Sequence, residues 1–349
     1  MYLHSFSHFR ALAIVLVVAG HSYGLAGWKV DSLPEQVLAS LITGATGLFV
    51  FISGFFFHFV FYKRFEYRAF MRKKFNAVLL PYLALSTLGI VFYVYLLGQP
   101  PYEDQFYTDK PGLWNEHLRP IWLYYWYGAA AFPYWYIPFI MLTFLMAPLH
   151  KRFIESSLPY QVAIVAGLAL LAMLIHRPLY NLSNLQAALY FTPFYLLGIC
   201  ASLYAEPLRR YFYGREWTLL AAAVFFALLE AVLFQRYGNT HKLPWMPAAP
   251  DLMVPQKIAL CLFFFVWLRR FDDVPNAALN QVAGMSFAIF FLHPWVLDFT
   301  GMALRSQQIY FSQGWLLPLA VLWVTALSMA LALLCKRLLG QHSLRFIGW

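Results

Sequence analysis

Two ionisable residues near the start of the chain have the types and the spacing to do chemistry. Arg10 and His21 are eleven positions apart in an otherwise largely apolar segment. On an α-helix eleven residues make three turns plus about 20°, so both side chains share one face, about 16 Å apart along the axis. Arginine is a permanently charged, forked anion binder, and histidine is a base near neutral pH. The pair suits an extended ligand, such as an acyl-coenzyme A, with its anionic head at Arg10 and its reactive end at His21.

The spacing alone leaves a structural interpretation open. Arg10 would then extend to lipid headgroups, and His21 would satisfy a neighbouring backbone carbonyl. Ionisable groups at membrane depth are costly, however, and usually mark a functional site. The choice depends on whether the helix that carries them lies in a membrane.

The composition indicates a membrane protein. Of 349 residues, 62% are hydrophobic and only 11% are charged, whereas soluble domains carry about 25% charged residues. Apolar runs near the roughly 20 residues that cross a bilayer recur along the chain. They predict about ten transmembrane helices in one all-α membrane domain, 1–349, with no soluble domain. The runs are Ala11–Trp28, Val37–Tyr62, Ala77–Leu97, Phe132–Leu149, Tyr160–Ile175, Leu185–Ala205, Trp217–Phe234, Val254–Leu268, Val282–Gly301 and Trp315–Cys335. The aromatic segment Ile121–Ala131 is too short to span and predicts an interfacial or re-entrant piece.

The charges between these runs predict the topology. Sixteen lysines and arginines fall in loops on the side of the N-terminus, and eight fall in the opposite loops. By the positive-inside rule, both termini lie in the cytoplasm. The formal net charge of +10 then indicates contact with anionic membrane lipids or an anionic ligand rather than with nucleic acid.

Other chemistries lack their motifs. The sequence has no glycine-rich phosphate loop, no His-Glu-x-x-His or other spaced metal-ligand cluster, and no Gly-x-Ser-x-Gly elbow. Cys200, Cys261 and Cys335 each sit in an apolar run, where small packing residues are expected. An ATPase, a zinc enzyme and a serine hydrolase are therefore disfavoured, and no metal is expected.

Two residues in apolar segments are weaker candidates. Ser53 either hydrogen-bonds the acyl-CoA, or accepts an acyl group, or with Gly54 lets two helices pack closely. Trp135 either stacks on a sugar ring or anchors the chain at the membrane interface.

Three polar residues in later runs are also candidates for substrate contacts. His293 either joins the site or satisfies a backbone carbonyl freed by Pro294. Glu230 and Asp298 either orient His21 and raise its basicity or pair with a nearby cation.

The Arg10–His21 spacing resembles the first-helix motif of the membrane acyltransferase 3 family, whose members O-acetylate surface polysaccharides and related glycans. The resemblance covers nearly the whole chain, and ten helices fit the family. Members often carry an arginine shortly before the proline that opens the third helix, where this chain has Asn76 and Ala77. The later landmarks follow in the family's order: Phe49–Phe55, Lys73–Phe75 with Pro81–Tyr82, Tyr134–Pro138, Phe194–Gly198 and Phe291–Pro294.

The resemblance implies an acyl-CoA-dependent O-acyltransferase of the bacterial inner membrane. It implies that His21 takes the proton from an acceptor hydroxyl. It also implies that Arg10, with Arg72, Lys73 and Lys74, holds acetyl-CoA from the cytoplasmic side. Acetyl is the family's commonest acyl group, and succinyl is an alternative. The implied acceptor is a hydroxyl of a surface or secreted glycan, such as an exopolysaccharide, or of a smaller molecule.

A transporter or flippase of a lipid-linked sugar is the main alternative function. About ten helices and a positive-inside pattern suit it equally well, but many transporters have inverted repeats with broken helices around a midplane site, and the sequence shows no such halves. A structural or sensory membrane subunit is a third alternative, and it predicts no ligand at Arg10. Acyl-CoA-dependent transfer by the purified protein distinguishes the acyltransferase from the transporter.

Overall fold

The computed structural model describes residues 3–349 and is 78% helical. The principal helices are α1 (His4–His21), α2 (Leu33–Arg64), α3 (Tyr67–Leu96), α4 (Trp114–Tyr127), α5 (Phe132–Leu145), α6 (Leu158–Ile175), α7 (Asn184–Leu203), α8 (Glu216–Phe234), α9 (Met253–Trp267), α10 (Ser286–Ser306) and α11 (Gly314–Ile347). Short helices lie between them, at Tyr23–Ala26, Glu103–Phe106, Ala147–Ile154, Ala205–Phe212 and Ala277–Gly284. Two strands, β1 (Arg177–Pro178) and β2 (His241–Lys242), pair in parallel.

Seven helices within residues 3–349 are long and apolar enough to cross a membrane: α2, α3, α6, α7, α8, α10 and α11. An eighth span results if α4 and α5, which are bent by 70° relative to each other, count as one. These helices confirm the prediction of an all-α integral membrane protein. The count of about ten and the cytoplasmic location of both termini are not confirmed and stay predictions.

Three of the ten predicted runs account for the difference in the count. α1 carries His4, His8 and Arg10 in its first two turns, so it is less apolar than the seven spans. α9 has only 15 residues, fewer than the roughly 20 that cross a bilayer. The run that begins at Phe132 is one arm of the bent pair, and the predicted interfacial segment before it belongs to the other arm.

The first helix is enclosed by other helices rather than by solvent or lipid. It contacts α2, α9, α10 and α11, and its residues Ala11, Ala13, Ile14 and Val18 are fully buried. Ionisable groups in membrane helices are tolerated where they face the interior of a bundle. The central position of α1 therefore explains how its polar residues are accommodated.

Close packing of α2 on α7 forms much of the core. A Cβ atom at Gly54 would lie 1.9 Å from the carbonyl oxygen of Tyr195, and one at Gly198 would lie 2.0 Å from that of Phe51. Only glycine allows the two backbones to approach so closely, as at other small-residue contacts between membrane helices. Gly54 therefore has the packing role that the Ser53–Gly54 pair indicated.

Two interruptions in the helices place irregular backbone beside a cavity. α2 is broken at residues 43–45, where Gly44 has φ of 80° and Lys257 Nζ donates to the carbonyls of Ser40 and Leu41, at 2.9 and 2.8 Å. The chain also turns after Gly128, whose φ of 67° ends α4. Non-helical backbone at membrane depth is tolerated where it lines a cavity and its polar groups are bonded.

We expect Gly54→Ala to destabilise the protein, because the added methyl group collides with backbone. Overpacking of this kind typically costs about 1–3 kcal/mol, so the unfolding temperature in detergent should fall. Gly167→Ala is the matched control, since Gly167 is an exposed helical glycine with open space around its Cβ position. Equal unfolding temperatures for the two variants would contradict the close contact.

The topology prediction can be tested at two exposed cations, Arg68 and Lys110, in a variant whose native cysteines are replaced by alanine. The positive-inside rule places Arg68 in the cytoplasm and Lys110 outside. In sealed cells, a membrane-impermeant maleimide should label Lys110→Cys at once and Arg68→Cys only after permeabilisation. The opposite order would overturn the assignment of the termini.

Candidate active site

A cavity of about 420 Å³ brings together several of the predicted residues. This volume lies within the range of about 300–1,000 Å³ that is usual for small-molecule sites. Its walls come from α1, the break in α2, the turn at the start of α5, α10, and the loops that carry β1 and β2. His21, His293, Trp135 and Asp298 all line it.

Two histidines form the polar centre of this cavity. His21 Nδ1 lies 2.9 Å from His293 Nε2, and the two rings are nearly parallel, with centroids 5.2 Å apart. The other ring nitrogen of His293, Nδ1, lies 2.9 Å from the carbonyl oxygen of Ile289. A chain of hydrogen bonds therefore runs from the backbone of α10 through His293 to His21.

The direction of this chain follows from the backbone carbonyl at its end. A carbonyl only accepts, so Nδ1 of His293 carries a hydrogen and donates it to Ile289. In the neutral imidazole the other nitrogen is then an acceptor, and Nε2 of His293 accepts from Nδ1–H of His21. This arrangement leaves Nε2 of His21 with a lone pair. His21 is thus held in the tautomer that a general base requires.

The turn at the start of α5 fixes the surroundings of the histidine pair. Tyr134 is fully buried, and its hydroxyl donates to the carbonyl of Phe291 on α10 at 2.8 Å and accepts from Trp295 Nε1 at 2.9 Å. These bonds tie the turn to α10. They bring the ring of Phe132 edge-on against His21, with centroids 5.1 Å apart, so an apolar wall borders the base.

Arg10 lies toward the opposite end of α1 and reaches the cavity only through a residue that lines it. Its Nη2 donates to Ser286 Oγ at 2.9 Å, and Ser286 lines the cavity. Ser286 and His293 are seven residues apart on α10, which is about two turns and 10 Å. Two polar contacts, Arg10–Ser286 and His21–His293, therefore join α1 to α10 at the two ends of the site.

Of the other predicted basic residues, Lys74 lies near Arg10. Lys74 Nζ lies 4.3 Å from the ring centroid of Phe144, and its positive charge interacts with that of Arg10. Arg72 and Lys73 are exposed on the first turns of α3. Cations gathered at the mouth of a site attract anions to it.

The two predicted carboxylates do not contact the histidine pair. Glu230 is buried; it pairs with Arg236 and accepts from the backbone N–H of Leu252 at 3.0 Å, and it does not line the cavity. Asp298 lines the cavity, but its carboxylate accepts from the Tyr93 hydroxyl. The bond to His21 that either acid was expected to make is made by His293.

Ser53 and Trp135 differ in their access to the cavity. Ser53 is half-buried and hydrogen-bonds Tyr136, which lines the cavity, whereas Ser53 itself does not. Trp135 is buried and lines the cavity, with the Arg177 guanidinium 4.7 Å from its ring. Trp135 is therefore placed for contact with a ligand, whereas Ser53 reaches the cavity only through Tyr136.

The family model of an acyltransferase domain matches residues 3–337, nearly the whole chain. The chain belongs to the acyltransferase 3 family. No curated protein and no solved structure matches it. Membership confirms the resemblance first suggested by Arg10 and His21, and it identifies a membrane acyltransferase. The roles of individual residues remain predictions.

One residue of this acyltransferase that sequence reasoning missed is Arg177. The topology prediction includes it only among the eight cations of the outer loops, yet the residue is 3% exposed and lines the cavity. Its position between His176 and Pro178, directly after an apolar run, was the one available signal. Burial of an arginine at the end of a helix depends on long-range packing, which local sequence does not reveal.

We expect His293→Ala to slow acyl transfer by about 10- to 100-fold, by analogy with the loss when the partner that orients a metal-binding histidine is removed. Donor binding, measured as thermal stabilisation by acyl-CoA, should be retained because Arg10 is untouched. His150→Ala is the control, since His150 is a buried histidine outside the cavity. Full activity of a folded His293→Ala variant would show that His21 does not need its partner.

Proposed function

We propose that the protein transfers an acyl group, acetyl foremost, from an acyl-CoA to a hydroxyl of a surface or secreted glycan in the bacterial inner membrane. Family membership supports the acyltransferase activity. The observation that supports the finer proposal is the pair of contacts along α1: His21 bonds His293 inside the cavity, and Arg10 bonds Ser286, which lines it. No metal takes part in the proposed reaction.

The proposed reaction uses His21 as a general base. Its Nε2 takes the proton of the acceptor hydroxyl while the oxygen attacks the thioester carbonyl carbon. The tetrahedral intermediate then collapses, the carbon–sulfur bond breaks, and the CoA thiolate takes the proton back from Nε2. His293 keeps the ring of His21 in place throughout by accepting its Nδ1–H.

The donor would lie along α1. Its phosphates would meet Arg10 and the neighbouring Lys74, with the exposed Arg72 and Lys73 facing the nucleotide outside the cavity. Guanidinium and ammonium groups are suitable phosphate ligands. The narrow arm that carries the thioester would run about 16 Å toward His21. This placement puts the acyl carbon inside the protein, part-way across the bilayer.

The acceptor would enter from the other mouth of the cavity. Trp135 offers an aromatic face and Asp298 a carboxylate oxygen there, and both are suited to a sugar. With donor and acceptor entering at opposite ends, neither has to cross the membrane.

A transporter of a lipid-linked sugar is the competing proposal, and it differs in what coenzyme A does. It predicts neither acyl-CoA binding nor transfer. The buried histidine relay favours the enzyme, because a passage for sugars has no need of a histidine held in one tautomer.

The test is thermal unfolding of the detergent-purified protein with acetyl-CoA, together with a transfer assay. A ligand at a hundred times its dissociation constant stabilises by about 2.7 kcal/mol. We expect this stabilisation in the wild type and in His21→Ala, and its loss in Arg10→Ala. Transfer should be lost in His21→Ala.

Arg152→Ala is the control for the donor site, since Arg152 is an exposed arginine outside the cavity. It should behave as the wild type. A folded wild-type protein that responds to no acetyl-, succinyl- or longer acyl-CoA would favour the transporter. Full transfer by His21→Ala would remove the proposed base.

A further inference from the structure

Arg177 is a buried cation that makes no salt bridge. None of the ion pairs in residues 3–349 includes it, and its Nε has no hydrogen-bond partner. Its guanidinium lies over the rings of Trp135 and Phe191, with ring centroids 4.7 and 5.5 Å away. Stacking holds the plane of the group but leaves its N–H donors unused. Burial of a charge without a salt bridge destabilises a fold. A bound anionic group would offset this cost.

The loop that carries Arg177 is strained. His176 has φ of 58° and ψ of −176°, a combination that is essentially confined to glycine, and Tyr180 and Asn181 also have positive φ. Such conformations persist only where their surroundings enforce them, and they cluster at ligand sites. Here Gln186 Nε2 donates to the carbonyls of Ile175, His176 and Lys242, at 3.0–3.3 Å.

The pairing of β1 with β2 completes the positioning of this loop. Arg177 lies opposite His241, and His241 Nδ1 donates to the carbonyl of Pro178 at 2.8 Å. Burial, with the nearby charge of Arg177, lowers the pKa of His241 to about 4, so this histidine is neutral at pH 7. Arg177 is therefore the positive charge at this end of the cavity.

The acid whose charge acts on Arg177 is Asp251, but the two form no salt bridge. The Asp251 carboxylate instead accepts from the Tyr190 hydroxyl and from the backbone N–H of Met253, both at 2.9 Å. Beside the arginine, Asn181 also lines the cavity, and its buried Oδ1 has no partner. Both residues therefore line the cavity while each keeps a buried polar atom without a partner.

We propose that Arg177 binds a carboxylate of the substrate in this part of the cavity. The inference deepens the proposed function and rests on it for the identity of the substrate. Carboxylate matches a single planar guanidinium, whose fork makes two parallel bonds to it. The phosphates of the donor are assigned to the cations around Arg10, at the other end of α1. The carboxylate belongs either to an acidic sugar of the acceptor or to a dicarboxylic acyl group such as succinyl.

The experiment compares paired ligands that differ only in the carboxylate. The probes are an oligoglucuronate and its carboxyl-reduced form, and succinyl-CoA and acetyl-CoA, with binding measured in detergent at fixed ionic strength. We expect the wild type to bind the acidic member of one pair at least tenfold more tightly. A preference within the sugar pair assigns the carboxylate to the acceptor, and one within the CoA pair assigns it to the acyl group. Equal binding within both pairs overturns the proposal.

Arg177→Met tests the residue itself, because methionine keeps apolar contact with Trp135 while removing the charge. It should abolish the preference for the acidic ligand and unfold at the same temperature as the wild type or higher, since a buried unpaired charge is gone. Arg177→Lys should retain part of the preference. Lys110→Gln removes an exposed cation outside the cavity and should change neither quantity. A preference that survives in Arg177→Met overturns the proposal.

Binding and transfer separate this inference from the proposed function. Charge-dependent binding that is lost in Arg177→Met, in a protein that transfers no acyl group, would support the carboxylate site and refute the enzyme. If Arg177→Met instead slows acyl transfer equally for acidic and neutral substrates, the enzyme would be supported and the carboxylate site refuted.

Discussion

The hydrogen bond between His21 and His293 is the contact around which the rest of the site is arranged. It joins residues 272 positions apart and links α10 to α1. The second contact between these helices, Arg10 to Ser286, then falls at the other end of the same cavity. Because both bonds are made in a largely apolar interior, an imidazole that lost its partner would be costly to bury. The geometry of the proposed base is therefore set by helix packing rather than by a flexible loop.

The fold class and the central pair could be read from the sequence, because both depend on local patterns. Apolar runs reveal membrane helices, and the 3.6-residue period places Arg10 and His21 on one face. The partner of His21 could not be read in this way. Glu230 and Asp298 were reasonable candidates, but Arg236 and Tyr93 occupy their carboxylates. Which polar groups meet is decided by how helices pack, and a list of spans does not contain that information.

The number of spans was equally hard to read, and for a related reason. Hydropathy assumes that each helix faces lipid, whereas α1 is surrounded by protein and tolerates histidines and an arginine that a lipid-facing helix would not. The bend after Gly128 and the break in α2 are also invisible to a count of apolar residues. Both interruptions border the cavity. The bend also changes the number of spans, because it separates the run that begins at Phe132 from the helix before it.

The proton transfer proposed for the histidine pair has a consequence for the energetics of acyl transfer across the membrane. Under the proposed chemistry, the proton that His21 takes from the hydroxyl returns to the departing thiolate within the same turnover. An acetyl group is neutral, so its passage from donor to acceptor moves no net charge through the bilayer. Moving one elementary charge would gain or cost about 2.3 kcal/mol per 100 mV of membrane potential. Acetyl transfer would be independent of voltage, and its driving force would come from the thioester alone.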